Sequence, residues 1–242
     1  MKNAKKMFLI LVALLIAAPA AQAFVLGPTS PGKWGPPTMG TGATVTWSLM
    51  PTGTNCGLEF LGCTTTSLSD FMPAGFLTQV QNAFNAWSAV ANIAFVQVAD
   101  SGSPYDSADA FGDIRIGGHP FDGASGTLAH GFYPPNNGTS AAGDIHFDID
   151  DLWKIGFGGP GFDIFQVMAH EIGHAIGLDH TGVANSLMNP FYTEAFFGLQ
   201  ADDIAGAQFI YGSATQNVPE PGMLSLLMLG LIGLGIARRT RA

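Results

Sequence analysis

Apolar and polar residues alternate in four short segments of the chain, and this pattern predicts β-strands. The first segment is ATVTWSLM at 43–50, whose two-residue period is typical of a half-buried strand. Strands are also predicted for IAFVQVA at 93–99, DIRIGG at 113–118 and DIHFDID at 144–150. In the last of these every second residue is polar, so one face of that strand carries polar side chains.

Three other segments place apolar residues at helical spacing. In FLTQVQNAFNAWSAVA, 76–91, they recur every three or four residues, and the aromatic side chains are expected in the core. A second helix is predicted to start at Asp163, because Gln166 follows three residues later, as in a capping box. A third, LQADDIAGAQFIYG, should end near Gly212.

Glycine-rich and proline-rich segments separate these elements. Residues 117–143 and 181–198 are predicted to be loops, and 24–41 is expected to run extended over the surface. Strands, a helix, further strands and further helices in this order predict a mixed α/β (α+β) domain.

The beginning of the chain has the composition of an export signal. Three lysines precede an apolar run from Met7 to Ala18, and AQA ends at Ala23. Residues 1–23 are therefore predicted to be a secretory signal peptide, with cleavage before Phe24.

The other end, 213–242, combines Val-Pro-Glu-Pro, an apolar run at 222–237 and a basic terminus. This order resembles the PEP-CTERM sorting signal of Gram-negative bacteria. The resemblance implies recognition by export machinery and an exosortase, transient anchoring in the inner membrane by a short transmembrane segment, and a final place at the cell surface or outside the cell. An ordinary C-terminal membrane anchor is the alternative.

Removal of both ends would leave an acidic protein. Three basic residues, Lys33, Arg115 and Lys154, then remain beside seventeen acidic ones, which gives a formal net charge of −14. So few cations argue against nucleic acid as a partner. The acidic balance fits either a solvated surface or a protein that binds cations.

The two cysteines, Cys56 and Cys63, lie in CGLEFLGC. In an exported chain a disulfide that closes a small loop is the expected arrangement. Free thiols or a metal-binding pair are the alternatives.

HEIGHAIGLDH at 170–180 contains three of the six histidines. His170 and His174 are four residues apart and share one helix face. Gly177 can end the helix in a left-handed conformation, so that His180 turns back toward the same ion. Three histidines with an open fourth position are typical of a catalytic zinc site. Glu171 adjoins a ligand, where a general base that activates water belongs.

The chain from residue 24 to 212 resembles the catalytic domain of the matrixins, a branch of the metzincins. Beyond the histidine motif, the resemblance rests on segments in the family's order: AFNAWSAVANIAFVQV, PFDGASGTLAH, GDIHFDIDDLW, SLMNPFY and LQADDIAGAQFIYG. It implies a zincin-like fold with a twisted mixed sheet of about five strands and three helices, and a secreted zinc-dependent endopeptidase that acts on protein or peptide substrates. A monomer is expected.

The resemblance also implies further metal sites. His130 and His146 match ligands of a second, structural zinc, and His119 is a third candidate, but the family's aspartate ligand is missing, so that a water or Asp113 would be the fourth. A histidine pair hydrogen-bonded within the loop is the alternative. Asp144 matches a ligand of a second calcium. The first calcium would be bound by side chains and backbone carbonyls of Asp122, Gly123, Ser125, Thr127, Asp148 and Asp151, unless these only form a solvated acidic loop.

Three more roles follow from the resemblance. Met188 matches the methionine that packs beneath the zinc, and Pro190 and Tyr192 would line the pocket for a hydrophobic residue just after the cleaved bond. No inhibitory propeptide is expected between Ala23 and the domain. Signal-peptide cleavage would instead free the ammonium of Phe24, to pair with an aspartate of the last helix, Asp202 or Asp203.

Two other functions compete with a broad endopeptidase. One is a non-catalytic surface or biofilm-matrix protein that keeps the fold as a binding module. Retention of Glu171 and of all three histidines argues against it. The other is a processing enzyme with one dedicated substrate.

Overall fold

The computed structural model describes residues 23–107, 112–135 and 141–214. The strands are β1 (Val25–Leu26), β2 (Ala43–Leu49), β3 (Ile93–Gln97), β4 (Ile114–His119), β5 (Ala129–Gly131), β6 (Ile145–Asp148), β7 (Trp153–Lys154), β8 (Phe162–Asp163) and β9 (Leu178–Asp179). The helices are α1 (Leu68–Phe71), α2 (Phe76–Val90), α3 (Ile164–Ala175) and α4 (Ala201–Tyr211).

The central sheet has five strands in the order β3-β2-β4-β6-β5. Strands β2, β3, β4 and β6 are parallel, and β5 runs antiparallel to β6 at one edge. The predicted mixed sheet of about five strands is therefore confirmed. The predicted helices are α2, α3 and α4, and the described residues add the four-residue helix α1.

The prediction of a continuous loop over 117–143 is wrong in two places. Strand β4 extends to His119, and residues 129–131 form β5, in which His130 lies opposite His146 of β6. A three-residue edge strand is too short to show alternation, so only its pairing with β6 defines it.

The core lies between the sheet and helices α2 and α3. Trp87 of α2 is fully buried and donates its indole N–H to the carbonyl of Ala169 in α3, at 2.9 Å. Phe84 stacks on Trp47 of β2, with ring centroids 4.8 Å apart. The aromatic residues of α2 are thus core residues, as predicted, and they fix α3 against the sheet.

Helix α3 begins and ends as its sequence predicts. The Asp163 side chain accepts a hydrogen bond from the Gln166 backbone N–H at 2.9 Å, which is the first half of a capping box. The Gln166 side chain does not complete the box, because its oxygen accepts from the Gly198 N–H. Gly177 follows the helix with φ of +109°, a conformation that favours glycine.

The segment 24–41 is more closely attached than an extended surface segment would be. Val25 and Leu26 pair antiparallel with Leu178 and Asp179, so β1 lies beside the turn that follows α3. Lys33 is fully buried and donates to backbone carbonyls.

Within the described part of the chain, no helix is long and apolar enough to cross a membrane. The predicted membrane segment at 222–237 and the predicted signal peptide up to residue 22 lie outside the described residues.

Candidate active site and metal centres

Helix α3 and the turn after it bring three imidazoles to one point. The Nε2 atoms of His170 and His174 are 3.1 Å apart, and each lies 3.2 Å from Nε2 of His180. Zn–N bonds of 2.0–2.1 Å in a tetrahedron place ligand atoms about 3.3–3.4 Å apart. The three nitrogens therefore fit one zinc ion and leave the fourth corner open.

Backbone carbonyls fix the orientation of two of these rings. His170 Nδ1 lies 2.6 Å from the Leu187 carbonyl, and His174 Nδ1 lies 2.8 Å from the Leu178 carbonyl. Because a carbonyl only accepts, each Nδ1 carries the proton and each Nε2 presents its lone pair to the common point.

Burial keeps these imidazoles neutral. It lowers the pKa of His170 to about 3, with a further contribution from His174, and it lowers the pKa of His174 to about 4. Neutral imidazole is the form that binds a metal. The site therefore fits a cation better than it fits protonated histidines.

Strand β9 and β1 position the third histidine. Asp179 Oδ1 accepts from the His180 backbone N–H at 2.7 Å and from the Tyr133 hydroxyl at 2.8 Å. Asp179 itself pairs with Val25 in the β1–β9 ladder. The N-terminal segment thus supports the turn that carries His180.

Glu171 lies beside the three histidines rather than among them. Its side chain is buried, its Oε2 has no hydrogen-bond partner, and burial raises its pKa to about 8. It is not part of the histidine group whose ligand atoms converge. A buried carboxylate with a free oxygen next to a metal position is suited to proton transfer.

The histidines and Glu171 line a cleft of about 640 Å³. Pro190 and Tyr192, the predicted pocket residues, both line it. The Tyr192 hydroxyl donates to Glu194 at 2.8 Å and accepts from the Asp163 N–H at 2.9 Å, so its ring is held in place. Apolar and aromatic side chains complete this wall: Phe162, Val167, Leu187, Phe191 and Phe196.

The side chain of Met188 packs against helix α3 at Gly173, next to His174. A Cβ added at Gly173 of α3 would come within 2.3 Å of the Met188 sulfur, so only glycine leaves room for it there. The Met188 backbone N–H donates to Asp203 Oδ1 at 3.0 Å. Helix α4 therefore anchors the turn below the histidines.

A second group of convergent ligands combines His119, His130 and His146 with Glu59. Glu59 Oε1 is 2.9 Å from His130 Nε2, 2.9 Å from His146 Nδ1 and 3.8 Å from His119 Nε2. His146 is completely buried, and burial lowers its pKa to about 4. Three nitrogens and one carboxylate oxygen at these spacings fit a closed four-ligand zinc site.

The acid beside these three histidines in the described structure is Glu59 rather than Asp113. The carboxylate of Asp113 lies elsewhere, because it accepts from the backbone N–H and the hydroxyl of Thr46 at 2.8 Å each. The alternative of a histidine pair hydrogen-bonded within the loop does not include Glu59 either.

The predicted calcium ligands lie on the loop at 122–127 and around the end of β6, and only some of their groups are free. Asp122 accepts from the Thr127 N–H, and Asp151 Oδ1 accepts from the Ser125 N–H at 2.6 Å. The Oδ2 atoms of Asp148 and Asp151 are buried without a partner. Burial, with the neighbouring acids, raises the pKa of Asp151. A cation would compensate these groups.

Asp144, the predicted ligand of a second calcium, is fully buried beside β4. Its Oδ1 accepts from the Arg115 backbone N–H at 2.9 Å, and its Oδ2 has no partner. Burial raises its pKa well above the usual value. Its role as a ligand stays a prediction.

The two cysteines form the predicted disulfide. Cys56 and Cys63 are bonded, with Cα atoms 4.9 Å apart, and both side chains are buried. Glu59 lies within the loop that this bond closes.

The two candidate aspartates for an N-terminal ammonium have different surroundings. Asp203 is already occupied, because it accepts from Ser186, Leu187, Met188 and Gln200. Asp202 Oδ2 is buried without a hydrogen-bond partner, and both aspartates border a small void together with Phe24.

Comparison with known proteins places this geometry in a family. The family profile described as Matrixin matches residues 63–212, which is more than half of the chain. The chain belongs to the matrixin family. A second profile, the PEP-CTERM protein-sorting motif, matches residues 217–241 and confirms the predicted sorting signal.

Similar matrixins come from animals and bacteria. Stromelysin-3 of Xenopus laevis is 41% identical over 147 residues, which are 59% of this chain and 29% of that protein. Karilysin of Tannerella forsythia is 41% identical over 141 residues, 55% of this chain and 28% of its own. Stromelysin-3 of Homo sapiens is 42% identical over 141 residues, 56% and 27% respectively. This chain thus spans less than a third of these relatives' length.

Glu59 is the site residue that sequence reasoning missed. The matrixin profile begins at Cys63, so Glu59 lies outside the matched region. One feature of the sequence could have singled out Glu59. It is the first acidic residue of the chain, and it stands between the two cysteines.

Proposed function

We propose that this matrixin is an exported zinc-dependent endopeptidase. The observation that supports the proposal is the equilateral arrangement of three Nε2 atoms, 3.1–3.2 Å apart, on the floor of a cleft that also contains the free carboxylate oxygen of Glu171. Both matrixin membership and this geometry support the same chemistry.

His170, His174 and His180 would hold the catalytic ion. Zinc held there would supply Lewis-acid chemistry, lowering the pKa of a bound water toward neutrality and polarising the scissile carbonyl. Glu171 accepts the proton of the attacking water at Oε2 and returns it to the leaving amine. Burial raises the pKa of Glu171 to about 8, and a cation held beside it would lower that pKa, which favours a carboxylate able to accept a proton at neutral pH.

The cleft indicates which residue the enzyme prefers after the cleaved bond. Pro190, Tyr192 and the aromatic residues beside them form an apolar wall. The Tyr192 hydroxyl is engaged by Asp163 and Glu194, so this wall presents the ring rather than a free donor. A hydrophobic side chain just after the scissile bond is therefore the proposed preference.

The sorting signal sets where the enzyme would act. The PEP-CTERM match supports export in a Gram-negative bacterium and recognition by an exosortase. A location at the cell surface or outside the cell, release of the tail and a monomeric state are part of the proposal. Calcium at Asp122, Asp148 and Asp151 is proposed as a structural ion.

The experiment is hydrolysis of casein and of a quenched peptide by protein purified after expression of the full chain. The wild type is measured with and without a zinc chelator. The variants Glu171→Gln and Glu171→Ala are then compared with the wild type. Both variants should lose about 10²–10⁴-fold in kcat/KM, because no base remains, while they keep their zinc.

Zinc content and thermal melting serve as controls, since they separate a lost base from a lost site. A folded wild-type protein with full zinc content that cuts neither substrate would contradict a broad endopeptidase. It would favour the binding module or an enzyme with one dedicated substrate.

A further inference from the structure

We propose that Glu59 completes a structural zinc site with His119, His130 and His146, and that the Cys56–Cys63 disulfide holds Glu59 in place as the fourth ligand. This inference goes beyond the peptidase proposal, because the binding of this ion can be measured in protein that lacks Glu171.

Four of the six distances between the ligand atoms lie near the edge length of a zinc tetrahedron. His130 Nε2 and His146 Nδ1 are 3.2 Å apart, and Glu59 Oε1 lies 2.9 Å from each and 3.8 Å from His119 Nε2. These distances bracket the ~3.3 Å edge that Zn–N and Zn–O bonds of about 2.0–2.1 Å produce. All four atoms lie within 4.8 Å of one another.

One of these four ligand atoms has no hydrogen-bond partner in the described structure. His119 Nε2 is buried and has no hydrogen-bond partner, while its Nδ1 lies 3.0 Å from the Pro120 carbonyl. The carbonyl requires the proton on Nδ1, so the buried Nε2 presents a lone pair toward Glu59. A buried lone pair without a donor is costly, and a cation at the common point would satisfy it.

Charge balance also favours a divalent ion. Among the described residues the ion-pair partners of Glu59 are the three imidazoles, and the described lysine and arginine ion pairs go to other acids. One dication at the common point would be bound by the carboxylate and by one nitrogen of each imidazole.

Between its two buried cysteines, the loop that carries Glu59 exposes both of its leucines. Leu58 is 57% exposed and Leu61 is fully exposed, so these side chains do not anchor it in the core. The loop is instead closed by the disulfide and by short-range bonds, in which the Glu59 N–H donates to the Cys56 carbonyl at 2.9 Å. The disulfide therefore limits the positions that the Glu59 carboxylate can reach.

The acid of this ligand set lies outside the matched family region, whereas the three histidines lie within it. Glu59 and Cys56 both precede residue 63, where the matrixin match begins. A loop from outside that region thus supplies an acidic ligand in place of the family's aspartate, which is missing before the PFDG segment at 120–123.

The test is zinc stoichiometry and affinity of protein made from the full chain with Glu171→Ala, so that no proteolysis interferes. Two zinc ions per chain are expected. Adding Glu59→Gln, which keeps the side-chain volume, should lower the affinity for the second zinc ion by at least about 100-fold. Competition with a chromophoric chelator measures this affinity. Adding Cys56→Ser with Cys63→Ser should weaken it by about 10-fold or more, because the loop is no longer closed.

Leu61→Ala is the matched control, since it changes the same loop at a fully exposed side chain and should retain both ions. One zinc per chain in the starting protein, or two ions bound equally tightly in folded Glu59→Gln, overturns the proposal.

A second measurement needs no loop variant. Anomalous diffraction at the zinc edge should place an ion within about 2.0–2.2 Å of Glu59 Oε1 and of the three histidines. An ion on the histidines with Glu59 turned away would also overturn the assignment. Neither result depends on catalysis, so failure here is distinguishable from failure of the peptidase proposal.

Discussion

Two adjacent aspartates of α4 differ in what their carboxylates contact. Asp203 caps its own helix and binds the turn that contains Met188. Asp202 has a buried oxygen without a partner, and burial raises its pKa. Burial makes the charged form of Asp202 less favourable in the folded protein than in the unfolded chain. At neutral pH, which is above the ordinary pKa of an aspartate, this charge therefore destabilises the fold unless a cation lies nearby. An ammonium at Phe24, on the border of the same void, would supply that cation.

We therefore expect Asp202→Asn to lower the activity of protein that begins at Phe24, by about 3–10-fold, which corresponds to ~0.7–1.4 kcal/mol. Protein extended by two residues before Phe24 should show similarly low activity, and Asp202→Asn should not reduce it further. Peptide hydrolysis by the four proteins measures this. Independent, additive losses would show that the ammonium and Asp202 do not interact.

At the scale of elements, the end of α3 decides whether the third histidine reaches the other two. Gly177 has φ of +109°, and a Cβ there would lie 2.2 Å from the carbonyl oxygen of Gly32. The same turn pairs with β1 through Leu178 and Asp179. The helix end, the N-terminal strand β1 and the position of His180 therefore depend on the same contacts.

Gly177→Ala should lower the free energy of unfolding by at least about 1–3 kcal/mol, because the conformation is strained for alanine and the Cβ overlaps the backbone. It should also weaken catalytic zinc binding, since His180 is displaced. Gly182→Ala is the control, because nothing lies within 4 Å of its added Cβ, and it should change stability by less than about 0.5 kcal/mol. Urea unfolding and zinc content provide the measurements. Equal effects of both changes would contradict this account.

At the scale of the whole molecule, negative charge exceeds the positive charge that protein side chains supply. Arg115 is committed to Asp100 at 2.6 Å, and Lys154 pairs with Glu194, also at 2.6 Å. Lys33 donates to carbonyls instead of a carboxylate. Some of the remaining acids accept hydrogen bonds from backbone N–H groups and hydroxyls, but Asp148 and Asp151 both have a buried oxygen without a partner.

Calcium should therefore raise the melting temperature. A calcium concentration about 100 times Kd stabilises by ~2.7 kcal/mol, which is roughly 5–10 °C for a domain of this size. Asp151→Asn should abolish most of that gain, whereas Asp150→Asn, at an exposed neighbour, should keep it. Calorimetry with calcium and with a matched concentration of sodium chloride measures the difference. Equal losses in the two variants would indicate general charge screening rather than a specific site.

Short-range patterns alone determined much of this protein. The spacing of His170, His174 and His180, the helix start at Asp163 and the helix end at Gly177 were all predicted, because each depends on residues within a turn or two of helix. The four parallel strands followed from alternation or apolar runs. The disulfide followed from two nearby cysteines in an exported chain.

Tertiary structure decided what depends on distant residues. Glu59 and His146 are 87 residues apart in sequence, and only the packing of the disulfide loop against β6 brings them to 2.9 Å. Strand β5 exists because β6 offers it hydrogen bonds, and its three residues carry no pattern of their own. The different surroundings of Asp202 and Asp203 likewise depend on distant backbone groups. Local spacing specifies which side chains share an element, whereas the contacts between elements determine which of them meet.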